Sequence, residues 1–331
     1  MNKRTLRADF LLLLTAAIWG FGFVAQRSGM DHVGPFTFNG VRFILGSLFL
    51  LPIILIRKRS STAGVESPPA KKLFLYSFVA GSCLFLGITL QQFGIMFTTT
   101  GNAGFITGLY VVLTPIFAIF LGKRTGPATW FGAVFALSGL YFLTAVGRMD
   151  SINPGDILVM GSAVFWALHV LIIDRLVRDT DPLILASGQS AVCGLMAIAG
   201  AFLVEPFIHP LMAWIDPALL EAGTFGWLPL PSLIAGLYAN VVALPAEALI
   251  PILYSGICST GIANTLQVIA QKDVPPAHAT IILCFESSFA ALGGVLLFSE
   301  RVGGWTLLGF SLMLAGMLVT QWGTHKRRTV P

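Results

Sequence analysis

Long apolar runs separated by short polar breaks make up almost the whole chain. Ten runs stand out, at approximately 10–27, 36–56, 73–96, 102–121, 128–146, 155–173, 182–204, 247–271, 278–298 and 303–322. A helix that crosses a bilayer needs about 20 mostly apolar residues, so each run predicts one transmembrane helix. The breaks alternate in charge. Lys3-Arg4-Arg7, Arg57-Lys58-Arg59 with Lys71-Lys72, Lys123-Arg124, Arg175 with Arg178, Lys272 and Lys326-Arg327-Arg328 form basic clusters. The odd-numbered loops carry only Arg27, Arg148 and Arg301, and no Lys or Arg lies between Arg178 and Lys272. Cytoplasmic loops retain basic residues and translocated ones are depleted of them, so both termini are expected in the cytoplasm.

Composition places the chain in the same class: it is 56% hydrophobic and 11% charged, against about 25% charged for a soluble domain. The net charge of +5 does not indicate nucleic acid here. The basic residues lie at span ends, where they orient helices and attract anionic lipid. Cys83, Cys193, Cys258 and Cys284 all fall within apolar runs and form no C-x-x-C pair, so they read as buried thiols. Phosphate-loop, H-E-x-x-H and G-x-S-x-G motifs are absent, so neither ATP hydrolysis nor metal or nucleophilic catalysis has support. No cofactor is expected.

Two segments interrupt the regular pattern. The first, 57–72 (RKRSSTAGVESPPAKK), reads as a solvated cytoplasmic linker. The second, 205–246, is rich in proline and tryptophan and has no basic residue. Its half LPLPSLIAGLYANVVALPA imitates a span, but counting it would move the basic C-terminal cluster outside, against the charge rule. It is therefore expected as an external insertion, amphipathic or re-entrant. The opening MNKRTLR and its apolar run also resemble a secretory signal peptide, although removing it would break the repeat described next.

The chain resembles itself. Asp9, Ala16, Trp19 and Pro35 recur 147 residues later as Asp156, Ala163, Trp166 and Pro182. TLQ at 89–91 recurs at 265–267, and Gly132 and Gly139 recur as Gly309 and Gly316, an offset near 177. Each half thus holds five spans. Because five is odd, the second half must enter the membrane upside down, the inverted arrangement of many transporters, with the substrate site near the midplane. The expected units are 8–146 and 155–322.

GNAGFITGLYVVLTP (101–115), LGKR (121–124), TAAIWGFGFVAQRSG (15–29), NGVRFILG (39–46), CFESSFAALGG (284–294) and FSER (298–301) resemble the EamA-type drug/metabolite transporter superfamily. The resemblance covers nearly the whole chain. It implies an all-α membrane protein of ten helices in two inverted EamA repeats. It further implies a central cavity and secondary transport, usually export of small metabolites across the inner membrane. The family often has Glu-Pro where this chain has Glu286-Ser287, which removes the proline that would kink span nine.

Ionisable residues inside spans are costly and point to function. Glu286 lies eight residues into its run, about 12 Å deep at the helical rise. It reads as a proton carrier, or as a structural carboxylate paired with Arg42 or with backbone. Arg42 reads as a site for substrate carboxylates, a snorkelling anchor or a packing residue. His169 lies one turn after Trp166, on the same face, and is either a packing histidine or a second proton carrier. Trp19 and Trp166 sit far from the interfaces where tryptophan concentrates, which favours cavity walls that stack on a ligand or hold a cation. Tyr110 matches the position of Glu286 and could offer its hydroxyl. Gln91 and Gln267 occupy matching positions in the two halves, while other span amides read as helix-to-helix bonds. Gly104-x-x-x-Gly108 and Gly293-Gly294 read as close-packing sites.

These residues suggest an exporter of small amphipathic metabolites such as amino acids, with Glu286 as the candidate for coupling to protons. Alternatives are efflux of lipophilic cations, a membrane sensor that does not transport, and an intramembrane enzyme using His169 with Glu286. The last requires those two side chains within about 3 Å of one another or of a shared water.

Overall fold

The computed structural model describes residues 3–59, 68–98, 100–123, 125–144, 154–205, 246–290, 292 and 303–329. Its helices are α1 (Lys3–Met30), α2 (Pro35–Arg59), α3 (Ala70–Phe97), α4 (Thr100–Gly108), α5 (Tyr110–Phe120) and α6 (Pro127–Thr144). They continue as α7 (Pro154–Leu176), α8 (Pro182–Leu203), α9 (Ala246–Leu253), α10 (Asn264–Gln271), α11 (Pro276–Leu283) and α12 (Gly304–Thr329). A π-helical stretch, Tyr254–Ala263, joins α9 to α10 in one run. The α4–α5 pair makes one crossing, and α11 with residues 286–290 begins another. Among the described residues these fall into ten crossings and no strand, and seven are long and apolar enough by themselves to span a bilayer.

The expected spans match within about three residues for spans two to eight, whereas α1 starts seven residues early at Lys3, α12 runs seven residues further to Thr329, and the end of span nine lies outside the described residues. The core of the insertion (206–245), Arg148, Gly293-Gly294, Arg301 and part of the 57–72 linker lie outside the described residues. Local sequence explains where helices start. Prolines open α2, α6, α7, α8 and α11, at first-turn positions where a missing N–H costs nothing. Asp181 caps α8, accepting from the backbone N–H groups of Leu183 (2.9 Å) and Ile184 (3.4 Å). The outward surface is apolar, with Phe10, Ile56, Phe74, Phe120 and Ile250 fully or largely exposed, as a lipid-facing surface requires.

Ion pairs gather the even-numbered loops at one end of the bundle. Arg57 reaches Asp181 at 3.5 Å and Lys72 reaches Asp179 at 3.6 Å, while Lys123 and Arg178 both pair with the buried Asp174. Loops alternate between the two ends, as the charge pattern predicts.

The five-helix halves are related by a pseudo-two-fold exchange. The third span packs along the sixth as the eighth packs along the first, and the second crosses the seventh as the fifth crosses the tenth. The α6–α12 seam shows the symmetry residue by residue. A Cβ on Gly132 would lie 2.9 Å from the Gly316 carbonyl, and one on Gly139 would lie 2.6 Å from that of Gly309. Exchanging each glycine for its repeat counterpart turns the first contact into the second. Antiparallel helices that cross about such an axis must point in opposite directions, which is the inversion. Because lipid is as apolar as leucine, close backbone approach is what holds such a seam.

Just beyond α8, Glu205 folds under the start of α2, its Oε2 accepting from Thr37 N (3.0 Å) and Thr37 Oγ1 (2.8 Å). Burial pushes this carboxyl up from 4.5 to about 7, opposed by the two Thr37 bonds.

Two outcomes follow. Gly139→Leu should separate α6 from α12 and destabilise the protein by about 1–3 kcal/mol, the usual cost of overpacking, read as a lower thermal midpoint in detergent. The second concerns Glu205. Its folded value lies above the unfolded one, so its stabilising contribution is full below about pH 4.5 and lost as pH rises through about 7. E205Q should remove that part of the pH dependence of the thermal midpoint.

Candidate functional site

A cavity of about 50 Å³ lies in the middle of the bundle, lined by residues from both halves. That is room for only a handful of waters. Trp19, Arg42, Gln91, Tyr110, Trp166, Gln267 and Glu286 all line it. The two tryptophans form its centre, one from each half, with ring centroids 6.2 Å apart and planes tilted by 46°.

Each indole donates to the opposite half. Trp166 Nε1 donates to Gln91 Oε1 at 3.2 Å, and Gln91 Nε2 in turn donates to Thr107 Oγ1 at 3.3 Å. Trp19 Nε1 donates to the Ser259 carbonyl at 3.3 Å, within the π-helical stretch. A π-helix widens the helical ring and shifts carbonyls out of their usual register, and such stretches recur at functional sites.

Arg42 does not snorkel. It is 2% exposed, with its guanidinium 5.4 Å and 4.9 Å from the Phe38 and Phe43 ring centroids. Nε donates to Asn39 Oδ1 at 3.0 Å, and the buried Nη2 has no hydrogen-bond partner among the described residues. The flanking rings turn the side chain inward, so it contributes an uncompensated positive charge at the cavity.

Glu286 brings a carboxyl group to the same cavity. It is 6% exposed and, among the described residues, no hydrogen bond or ion pair reaches its carboxylate. In particular it does not pair with Arg42. Span nine is interrupted at Cys284–Phe285 even though the family's proline is a serine here, and Glu286 is the first helical residue after the break. Tight bonds from Phe285 N to Ile282 O (3.1 Å) and Ser287 N to Cys284 O (3.2 Å) make the turn, and Ser287 Oγ donates to the Gly104 carbonyl at 3.3 Å. Span four breaks in the equivalent place, at Leu109, so Tyr110 occupies the matching position. Its hydroxyl is buried with no partner among the described residues. Gly20 lets α1 lie directly on this region, since a Cβ there would come within 2.6 Å of the Glu286 carbonyl.

His169 is not part of the lining. Its Nε2 bonds Gln189 Oε1 at 2.9 Å, and its ring stands edge-on to Trp166 at 6.1 Å. It supports the tryptophan from behind, and no hydrogen bond joins it to Glu286 among the described residues.

Sequence reasoning overlooked Gln26, Thr107, Ser259 and Thr260, and treated Asn264 as a structural amide, yet all five line the cavity. The signal available was YSGICSTGIA (254–263), an unusually small and polar stretch within a span.

Gln91→Leu should leave the Trp166 N–H and the Thr107 hydroxyl without their partner. A loss of about 1–3 kcal/mol is expected, read as a lower thermal midpoint together with a shift in tryptophan emission.

Comparison with known proteins agrees with this arrangement. Residues 6–145 and 226–322 match the EamA-like transporter family. An "Uncharacterized transporter" of Archaeoglobus fulgidus is 29% identical over 96% of this chain and 86% of its own length. The "Uncharacterized inner membrane transporter YedA" of Escherichia coli strain K12 is 25% identical over 92% of this chain and 87% of its own. A crystal structure only 18% identical superposes with a TM-score of 0.69, covering 95% of this chain and 98% of that one, which shows a shared fold. A chain whose described residues make ten crossings in two inverted halves around a central cavity, matched over both segments, belongs to the EamA-like transporter family and is a multi-pass membrane transporter.

Proposed function

We propose that this transporter exports small zwitterionic or amphipathic metabolites, amino acids foremost, across the inner membrane, with proton movement through Glu286 supplying the driving force. The observation that supports this most is the pair of opposite charges on one cavity. Arg42 and Glu286 both line it and, among the described residues, form no ion pair with each other. Two uncompensated charges in a low-dielectric chamber are costly, and a ligand carrying a carboxylate and an ammonium would neutralise both. Trp19 and Trp166 offer flat apolar faces between them, with Gln91, Gln267 and Tyr110 as polar contacts. His169 acts indirectly, by holding Trp166. In an empty cavity, the charged carboxylate of Glu286 would be stabilised only by water. It would therefore release its proton on the side where the cavity opens to water and take one up as the cavity closes.

Both termini are assigned to the cytoplasm because every even-numbered loop carries a basic cluster. The expected units, 8–146 and 155–322 with an external insertion at 205–246, are part of the same proposal.

Reconstituted vesicles test the reading. With an imposed pH gradient, wild-type protein should accumulate one or more labelled amino acids, and Glu286→Gln should reduce this to the level of empty vesicles while folding normally. Undiminished gradient-driven transport by that variant would remove the carboxylate from the mechanism. Accumulation of tetraphenylphosphonium but of no amino acid would reassign the protein to lipophilic-cation efflux.

A further inference from the structure

The pseudo-two-fold relation also pairs two carboxylates that no role in the cavity absorbs. Asp9 and Asp156 are repeat counterparts, 147 residues apart, each in the first turns of its half's leading helix. Both are buried. Each reaches across to the other half, where the fourth span begins. His278 Nε2, in the first turn of α11, donates to Asp9 Oδ1 at 2.6 Å. Thr98 Oγ1, two residues ahead of α4, donates to Asp156 Oδ1 at 2.6 Å.

Their positions along the bundle are as symmetrical as their partners. Asp9 lies ten residues before Trp19, and Asp156 ten residues before Trp166, about 15 Å at the helical rise. Because α1 and α7 run in opposite directions, the two contacts sit at opposite ends of the bundle with the tryptophan pair midway. Each lies beside a buried apolar cluster on its own side of the cavity. Ala8, Leu12, Val274 and Ala279 pack together next to the Asp9 contact. Ile95, Ala103 and Val159 do so next to the Asp156 contact.

We infer that Asp9–His278 and Asp156–Thr98 are the two latches of alternating access, one at each end of the cavity. For the cavity to open at one end, the halves must separate there, which pulls α1 from α11 or α7 from the start of α4. In either case one buried, charge-assisted hydrogen bond breaks while its counterpart holds. Both bonds are made in this structure, one on each side of a cavity of about 50 Å³. The two latches are chemically unequal, a histidine on one side and a hydroxyl on the other, so the chain does not weight the two open states equally. This inference rests on the protein being a transporter with two inverted halves, not on its substrate, its direction or proton coupling.

Access to the cavity can be read without any substrate. Ser259 lines the cavity, so Ser259→Cys, with the four native cysteines replaced, provides a reporter for a membrane-impermeant maleimide. Vesicles of both orientations are labelled. Asp9→Asn should raise labelling from one side of the membrane and Asp156→Asn from the other. Each rise should be about fivefold to tenfold, the change in equilibrium brought by removing the charge from a charge-assisted hydrogen bond. Combining the two should raise labelling from both sides. His278→Phe and Thr98→Val remove the donors instead, should reproduce the respective patterns, and serve if an aspartate variant does not fold. The assignment is overturned if folded variants of the two latches expose the cysteine to the same side, or if neither pair changes labelling.

Discussion

Hydrocarbon offers a polar group nothing to bond, and most of this structure follows from that constraint. The backbone satisfies it by being helical at every crossing, and the side chains satisfy it by pairing across helices. Asp174 collects Lys123 and Arg178 at the bundle end, Ser47 and Ser187 bond each other where the second and seventh spans cross, and Gln189 engages His169. Against this background, unpartnered groups carry information. Several lie together around the central cavity, where Arg42 Nη2 and the Tyr110 hydroxyl lack partners and the Glu286 carboxylate faces the same space. Polar groups without partners in a closed chamber are what a polar ligand or entering water would complete.

The symmetry gives the chamber its place. Glycine contacts at the α6–α12 seam fix one crossing, and indole bonds to the opposite half fix the centre. The helix breaks at Leu109 and at Cys284–Phe285 bring Tyr110 and Glu286 to equivalent depths. These breaks also free backbone groups, which the Ser287 hydroxyl and short-range bonds partly satisfy. The loss of the family's proline at position 287 therefore does not straighten span nine. The interruption is built by the neighbouring packing rather than by a single residue.

Much of the architecture was legible in the chain. Apolar runs gave ten spans, basic clusters gave their alternation, and the recurrence of Asp9, Trp19, Gly132 and Gly139 gave the inversion, because an odd number of crossings leaves no other arrangement. Depth along a run also picked out most residues that meet at the cavity. It failed for His169, which lies at the right depth but behind Trp166, and for Ser259 and Thr260, whose small side chains are common in any membrane helix.

The sequence by itself determined how often the chain crosses the membrane and that its halves oppose each other, since hydropathy and charge act on each segment independently of its neighbours. Only the tertiary structure decided which face of each helix looks inward. It left Arg42 and Glu286 on one cavity without pairing them, and it set Asp9 and Asp156 at opposite ends. Those outcomes depend on helix rotation and close approach, which arise from packing between segments far apart in the chain and leave no periodic trace within any one of them.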